Sequence, residues 1–292
     1  MRKKIFLIIG LLTFFIWLPS YGLSEKIQVA ASIPPQKYFL NQIGQPYLDI
    51  LIMIQPGTNP ATYEPKPSQL TALSNIQAYF TIGVPFEDVW LSKFKNANSK
   101  LSIIPTHKSI KKQYFSSHKP TKGNTRAQTR KDPHIWLSPP LVRIMAKTIL
   151  DACINLDPSH TQNYLSNYYQ FCKEINKLDS FILKSLSKTE LSARHFMVYH
   201  PAWGYFAETY SLKQIPVEKK GREPSPKQLL NLISQAKKLG LNTVFVQPQF
   251  SIKSAQIITR DINGHVVKLD PLAEDWTKNL KNSAQSIINS LK

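Results

Sequence analysis

Short apolar runs alternate with longer stretches in which apolar residues recur every three or four positions. In the first half the runs are IQVAAS, LDILIMI, AYFTIG and LSIIP, and the spacing between them predicts helices from Pro34, Ser68 and Phe86. In the second half they are FMVYH, a weaker IPVE, TVFVQ and VVKLD, with helices from Trp203, Pro226 and Ser251 and a final helix at the end. Strand–helix alternation of this kind predicts an α/β fold with parallel sheets and helices on both faces. The count suggests two similar lobes of about four strands each.

Between the halves one helical pattern runs from Ser159 to about Ser187. Leu165, Tyr168, Cys172, Ile175, Leu178, Ile182 and Leu186 form a single apolar stripe, and DPS supplies a start signal. At 1.5 Å per residue such a helix is about 42 Å long, enough to brace both halves. No short Gly- or Ser-rich hinge accompanies it. The expected division is a signal peptide at 1–22, an N-terminal lobe at 23–140, connecting helices at 141–190 and a C-terminal lobe at 191–292. Ser225, Pro226 and Gln228 read as a capping box with proline in the first turn. Thr106 to Asp132 has few apolar residues and no period, and reads as a long mobile surface loop.

The opening MRKK and the following IFLIIGLLTFFIWLP form the basic and apolar regions of a secretory signal. Small residues at Ser20 and Gly22 put cleavage after Gly22. The apolar run is shorter than the roughly 20 residues needed to span a bilayer, so a membrane anchor is the weaker reading. No Cys nearby offers a lipid attachment point. An exported, soluble product is expected. Without Arg2, Lys3 and Lys4 the formal charge falls from +19 to +16. The lysines are scattered, in clusters no longer than Lys111–Lys112, Lys219–Lys220 and Lys237–Lys238. No basic stripe is interleaved with aromatics, so nucleic acid is not an expected partner. Cys153 and Cys172 fall in predicted helices on either side of LDPSH. Across a hairpin bent there they sit about 15 Å apart at 1.5 Å per residue, too far for a disulfide. Two buried thiols are expected, without the companions of a zinc site.

In open α/β sheets, ligands bind at loops beyond the carboxyl ends of the strands. Three candidate side chains sit in such positions. His200 ends FMVYH, Asp270 ends VVKLD, and His134 lies in the Pro-flanked turn DPHIWLSP. Two imidazoles and a carboxylate suit Zn²⁺, and Mn²⁺ accepts the same mixture. Each residue also has an ordinary role, His as a structural hydrogen-bonding group and Asp as a cap or turn former. No local spacing ties the three together. No nucleophile–base motif accompanies them, so an enzyme is not expected.

The ordered segments PATYEPKPSQ, YFTIG, DPHIWLSP, VYHPAWGYFA, GREPSPKQL, VFVQPQFS and LDPLAEDW cover nearly the whole mature chain. Together they resemble the solute-binding proteins of zinc and manganese ABC importers, the ZnuA/TroA-like family. That resemblance implies two (β/α)4-type lobes joined by a long rigid helix, with a metal buried between them. It implies a periplasmic monomer that takes up Zn(II), or less readily Mn(II), and delivers it to an ABC permease in the inner membrane. The family's second and third His ligands map to His134 and His200, and its carboxylate ligand to Asp270.

The chain departs from the family pattern in three ways. Where relatives carry the first His ligand, in P-H-x-Y-E-P, this sequence has Ala61. Water, Glu64 of the adjacent YEP or His118 from the long loop are the candidate replacements. Gln247 stands where many relatives carry Glu in FVEPQ. The loop before DPHIW keeps only His107 and His118 among many basic residues, and cations there repel a dication instead of steering it. These departures motivate a second expectation, a diverged relative acting as an adhesin with weak or no metal transport.

Overall fold

The computed structural model of the chain describes residues 26–115, 131–219 and 221–291. The expected signal peptide at 1–22 and His118 lie outside the described residues. Strands β1 (Ile27–Ala31), β2 (Leu48–Ile52), β3 (Ala78–Thr81) and β4 (Ser102–Pro105) form a parallel sheet in the order β2-β1-β3-β4. Strands β5 (His195–Val198), β6 (Lys213–Pro216), β7 (Thr243–Val246) and β8 (His265–Lys268) repeat that order as β6-β5-β7-β8. Each order reverses beside its first strand. Each sheet therefore has a switch point, where the outgoing loops diverge and leave a crevice at the carboxyl ends.

The helices are α1 (Pro34–Gly44), α2 (Pro67–Ala72), α3 (Pro85–Ala97), α4 (Pro139–Leu156), α5 (Thr161–Leu186), α6 (Gly204–Thr209), α7 (Pro226–Lys238), α8 (Lys253–Asp261) and α9 (Trp276–Ser290). Proline opens α1, α2, α3, α4 and α7, where its missing N–H removes a donor that has no intrahelical partner. The capping box of α7 is present: Gln228 N donates to Ser225 Oγ at 3.4 Å, and Ser225 N donates to Gln228 Oε1 at 2.9 Å. Among the described residues, no helix is long and apolar enough to cross a membrane.

The long helix α5 packs on α1, α4 and α9, and so touches both halves of the chain. Its buried face is Tyr164, Phe171, Ile175, Leu178, Ile182 and Leu186. Toward its N-terminus this differs from the predicted stripe. The large rings of Tyr164 and Phe171 take the centre of the interface, and Leu165, Tyr168 and Cys172 move to its half-buried edge. Cys172 is therefore not fully buried, a correction to the expectation of two buried thiols; Cys153 is buried, and both are free. Burial pushes the Cys153 thiol up to about 12.

Tyr38, Phe39, Phe171 and Trp276 form one aromatic cluster, with Phe39 and Trp276 edge to face at 5.3 Å. Tyr38 also donates to Thr277 Oγ1 at 2.9 Å. These contacts tie α1 of the first lobe to α9, the last helix of the chain, through α5. The buried core is accordingly continuous from β1 to α9, with a second cluster on the far face of the second sheet.

At the first switch point the crevice is filled by protein groups. Glu87, 3% exposed, accepts from Ser32 Oγ at 2.5 Å, Ile82 N at 2.9 Å and Gly83 N at 2.7 Å. Burial pushes its carboxyl up to about 7 against the pull of these donors. Lys112 closes over the same turn, with Nζ donating to Ile82 O at 3.0 Å and Gly83 O at 3.2 Å. Glycine is favoured there: its φ is +85°, and a Cβ would fall 1.8 Å from Lys112 Nζ and force that side chain to move. The described part of the predicted mobile loop is thus anchored at points, with Thr106 1% exposed and Tyr114 bridged to Lys131, while Lys108, Ser109, Lys111 and Tyr114 remain exposed. Side-chain anchoring replaces the missing apolar period. Glu87→Ala is expected to strand the Ile82 and Gly83 donors and to cost about 2–6 kcal/mol, at roughly 1–3 kcal/mol per unsatisfied group. Urea denaturation reads it, and an unchanged midpoint would mean that other contacts hold the 82–85 turn.

Candidate metal centre between the lobes

A cavity of about 390 Å³ lies between the carboxyl ends of the two sheets. The first lobe contributes Asn59, Ala61, Thr62, Val84 and Pro85; the second contributes His200, Glu218, Gln247, Gln249 and Phe250; His134 and Trp136 come from the turn between them.

His200 sits two residues past the end of β5, and its neighbours follow from sheet register. Val198 pairs with Pro216 on β6 and with Phe245 on β7. Carried two residues further, the same registers set Glu218 on one side of His200 and Gln247 on the other. His200 Nδ1 lies 2.8 Å from Glu218 Oε1. Gln247 clamps the His200 backbone from the other flank, with Nε2 donating to His200 O at 2.8 Å and Oε1 accepting from His200 N at 3.2 Å. The amide needs both a donor and an acceptor here, and a carboxylate at this position could only accept. Phe250 stacks on the imidazole, with ring centroids 4.9 Å apart.

His134 is held by a different device with the same result. Asp132 Oδ1 accepts from the His134 backbone N at 2.9 Å and lies 2.6 Å from its Nδ1. The turn is then stapled to the second lobe. Tyr205 OH donates to Asp132 O at 3.0 Å, Trp136 Nε1 donates to Pro271 O at 2.7 Å, and Trp276 Nε1 donates to Trp136 O at 2.7 Å. Burial pulls the His134 imidazole below its usual range, and Asp132 opposes that shift.

The carboxylates of Asp132 and Glu218 can only accept, so each imidazole donates from Nδ1 and keeps its lone pair on Nε2. In the neutral ring this leaves Nε2 as the nitrogen available to a metal, and a carboxylate behind the ring raises its basicity. The two rings meet in the cavity with centroids 5.3 Å apart, tilted by 71°.

Asp270 stands further back. Register pairs Val246 with Lys268, which sets Leu269 level with Gln247 and leaves Asp270 one residue beyond the His200 row. Asp270 Oδ1 accepts from Leu272 N at 2.9 Å and Gln249 Nε2 at 3.4 Å. Its neighbours Pro271, Leu272 and Gln249 line the cavity. Among the described residues, no three His, Cys, Asp or Glu side chains are grouped closely enough to hold an ion as they stand. Ala61 is exposed and lines the wall opposite the His pair, with its N–H donating to Asn59 Oδ1 at 2.9 Å. Glu64 is exposed and is not part of that wall. His107 is turned toward β3, with Nδ1 3.5 Å from Thr81 O.

Residues 29–290 match the family model described as ZnuA, zinc-uptake complex component A, periplasmic. The chain belongs to the ZnuA family. A crystal structure of a ZnuA protein is 41% identical, with a TM-score of 0.84, and the match covers 91% of this chain and 99% of that one. A putative metal-binding protein of Chlamydia trachomatis is 26% identical over 275 residues, 92% of this chain and 94% of its own length. The zinc-binding protein AdcA of Streptococcus pyogenes is 25% identical over 96% of this chain, which spans 58% of AdcA.

Within this ZnuA-family chain, Asp132 and Glu218 are the residues of the candidate site that sequence reasoning missed. For Asp132 a signal existed: in DPH, an Asp two residues before a His can bond its backbone N–H. For Glu218 the signal is strand register, which pairing alone supplies. Glu218→Gln is expected to weaken zinc binding about 10–100-fold, the usual cost of losing a carboxylate behind a metal-bound His. A chelator-competition titration measures it, and unaltered affinity would remove Glu218 from the site.

Proposed function

We propose that this chain is the solute-binding component of a metal ABC importer. It takes one Zn²⁺ between its lobes on His134 and His200 and delivers it to a membrane permease. Membership of the zinc-uptake family supports the transport role. The observation that carries the metal reading is the imidazole pair, two rings of fixed tautomer whose centroids lie 5.3 Å apart. Two imidazoles bound at about 2.0–2.1 Å to one ion, at bond angles of roughly 109–120°, have centroids about 5.2–5.5 Å apart. Membership of a zinc-uptake family supports Zn²⁺ over Mn²⁺.

Asp270 is the proposed third donor. Its carboxylate must exchange Leu272 N and Gln249 for the ion, a move of one side chain on a strand-end loop. The chain acts outside the cytoplasm, exported by the signal at 1–22, and no catalytic role is assigned to it. The adhesin reading finds no support in the site, which retains a backed His pair facing a cavity. Equilibrium dialysis of metal-stripped protein against Zn²⁺ and Mn²⁺ tests the proposal. Zn²⁺ retention at micromolar concentration with weaker Mn²⁺ retention is expected, and failure to retain either metal would end it.

A further inference from the structure

We infer that the cargo enters as a chelate, with a small amino-acid chelator accompanying the metal into the cavity. The inference rests on the proposed zinc reading and concerns what else the same site holds. His134 and His200, joined by Asp270 once it leaves Leu272 N and Gln249, would give three protein donors, which leave one position of a tetrahedral zinc sphere and two of a five-coordinate one. The wall where a fourth donor would stand is Asn59, Pro60, Ala61 and Thr62, and none of these is a zinc-preferring side chain.

Size separates the two candidate occupants. A water molecule takes about 30 Å³, so a bare ion with one or two waters uses only a small part of the 390 Å³ cavity. A cavity of this volume, walled mainly by apolar and aromatic groups with a few polar ones, is instead on the scale that holds a small organic ligand, roughly 300–1,000 Å³. Its walls include Trp136, Phe115, Phe250 and Leu272, and none of the described residues lining it is a Lys or Arg. Flat apolar surface of this kind contributes nothing to a hydrated ion and packs well against a carbon skeleton or a ring.

An α-amino acid matches the unfilled positions. Its ammonium gives up a proton to solvent, and the amine nitrogen and one carboxylate oxygen bind the ion as a five-membered chelate. The second donor then binds within one molecule, which raises its effective concentration over that of free water or buffer ligands. The protein's His pair holds the metal from one side and the apolar wall holds the chelator from the other.

The test is equilibrium dialysis of the metal-stripped full chain with radiolabelled zinc and differently labelled L-histidine, alone and together. One histidine retained per zinc in the combined arm, with no histidine retained without zinc, is the expected result. Added histidine is also expected to increase zinc retention at least tenfold at low free zinc. Zinc retained with no histidine, or histidine that strips zinc as a plain competitor, overturns the inference and leaves the zinc reading standing. No zinc retained in either arm overturns both. Ala61→Trp adds bulk to the wall without a metal donor and is expected to lose the histidine; retention of histidine by this variant would put the chelator outside the cavity and reject the assignment.

Discussion

His200→Ala is expected to reduce zinc affinity by well over 100-fold. Losing only the carboxylate behind a metal-bound His typically costs about 10–100-fold, and this substitution removes the imidazole itself. It also leaves Glu218, 7% exposed, without its His200 partner. His134→Ala is expected to do the same from the other side; Asp132, 2% exposed, loses the imidazole and keeps the backbone N–H of residue 134. Each single variant leaves one imidazole and a carboxylate that has to leave its own hydrogen bonds to reach the ion. The measurement is a competition titration against a chromogenic chelator, with circular dichroism to show that each variant folds. Zinc affinity within threefold of wild type in both variants would mean that any metal is bound elsewhere, and the roles given to His134, His200 and Asp270 would fail together.

The elements were readable because both halves use short apolar strands separated by periodic helices, and proline marks several helix starts. His200 and His134 were readable as well, since a His directly after an apolar run or inside a Pro-flanked turn stands at a loop in any parallel sheet. Four features were not readable, the set-back position of Asp270 among them, each for a reason of physics. Glu218 reaches His200 only through the pairing of β5 with β6, and hydrophobic periodicity carries no register. Asp270 is likewise a matter of register, because β8 pairs one step out of line with the His200 row and its carboxylate turns to Leu272 N. The centre of the α5 interface went to Tyr164 and Phe171 because ring size outweighs a stripe counted only by spacing. The segment from Thr106 to Phe115 looked structureless because its order comes from Lys112, Gln113 and Thr106 bonding to neighbours, including Gln113 N to Tyr205 OH at 2.8 Å.

Ala61→His tests whether the departure in the first-lobe loop governs affinity. Ala61 is exposed, sits on the cavity wall and uses only its backbone N–H locally, so a larger side chain meets solvent-side space and folding is expected to be unaffected. The new imidazole would approach the ion from the first lobe, the one side from which the described residues offer no His, Cys, Asp or Glu to the cavity. A fourth protein ligand closes the sphere in the manner of structural zinc sites, in place of an exchangeable donor. Zinc affinity is expected to rise at least tenfold, which corresponds to about 1.4 kcal/mol, a modest gain for one added metal–nitrogen bond. Ala61→Gln, comparable in bulk but without an imidazole, is expected to bind zinc no more tightly than wild type. The same competition titration reads both variants beside His118→Ala. If Ala61→His gains nothing while His118→Ala abolishes binding, the loop residue already supplies the fourth donor and the site is not open. If Ala61→Gln gains as much as Ala61→His, the effect is one of packing, and the loop at 59–62 has no part in holding the metal.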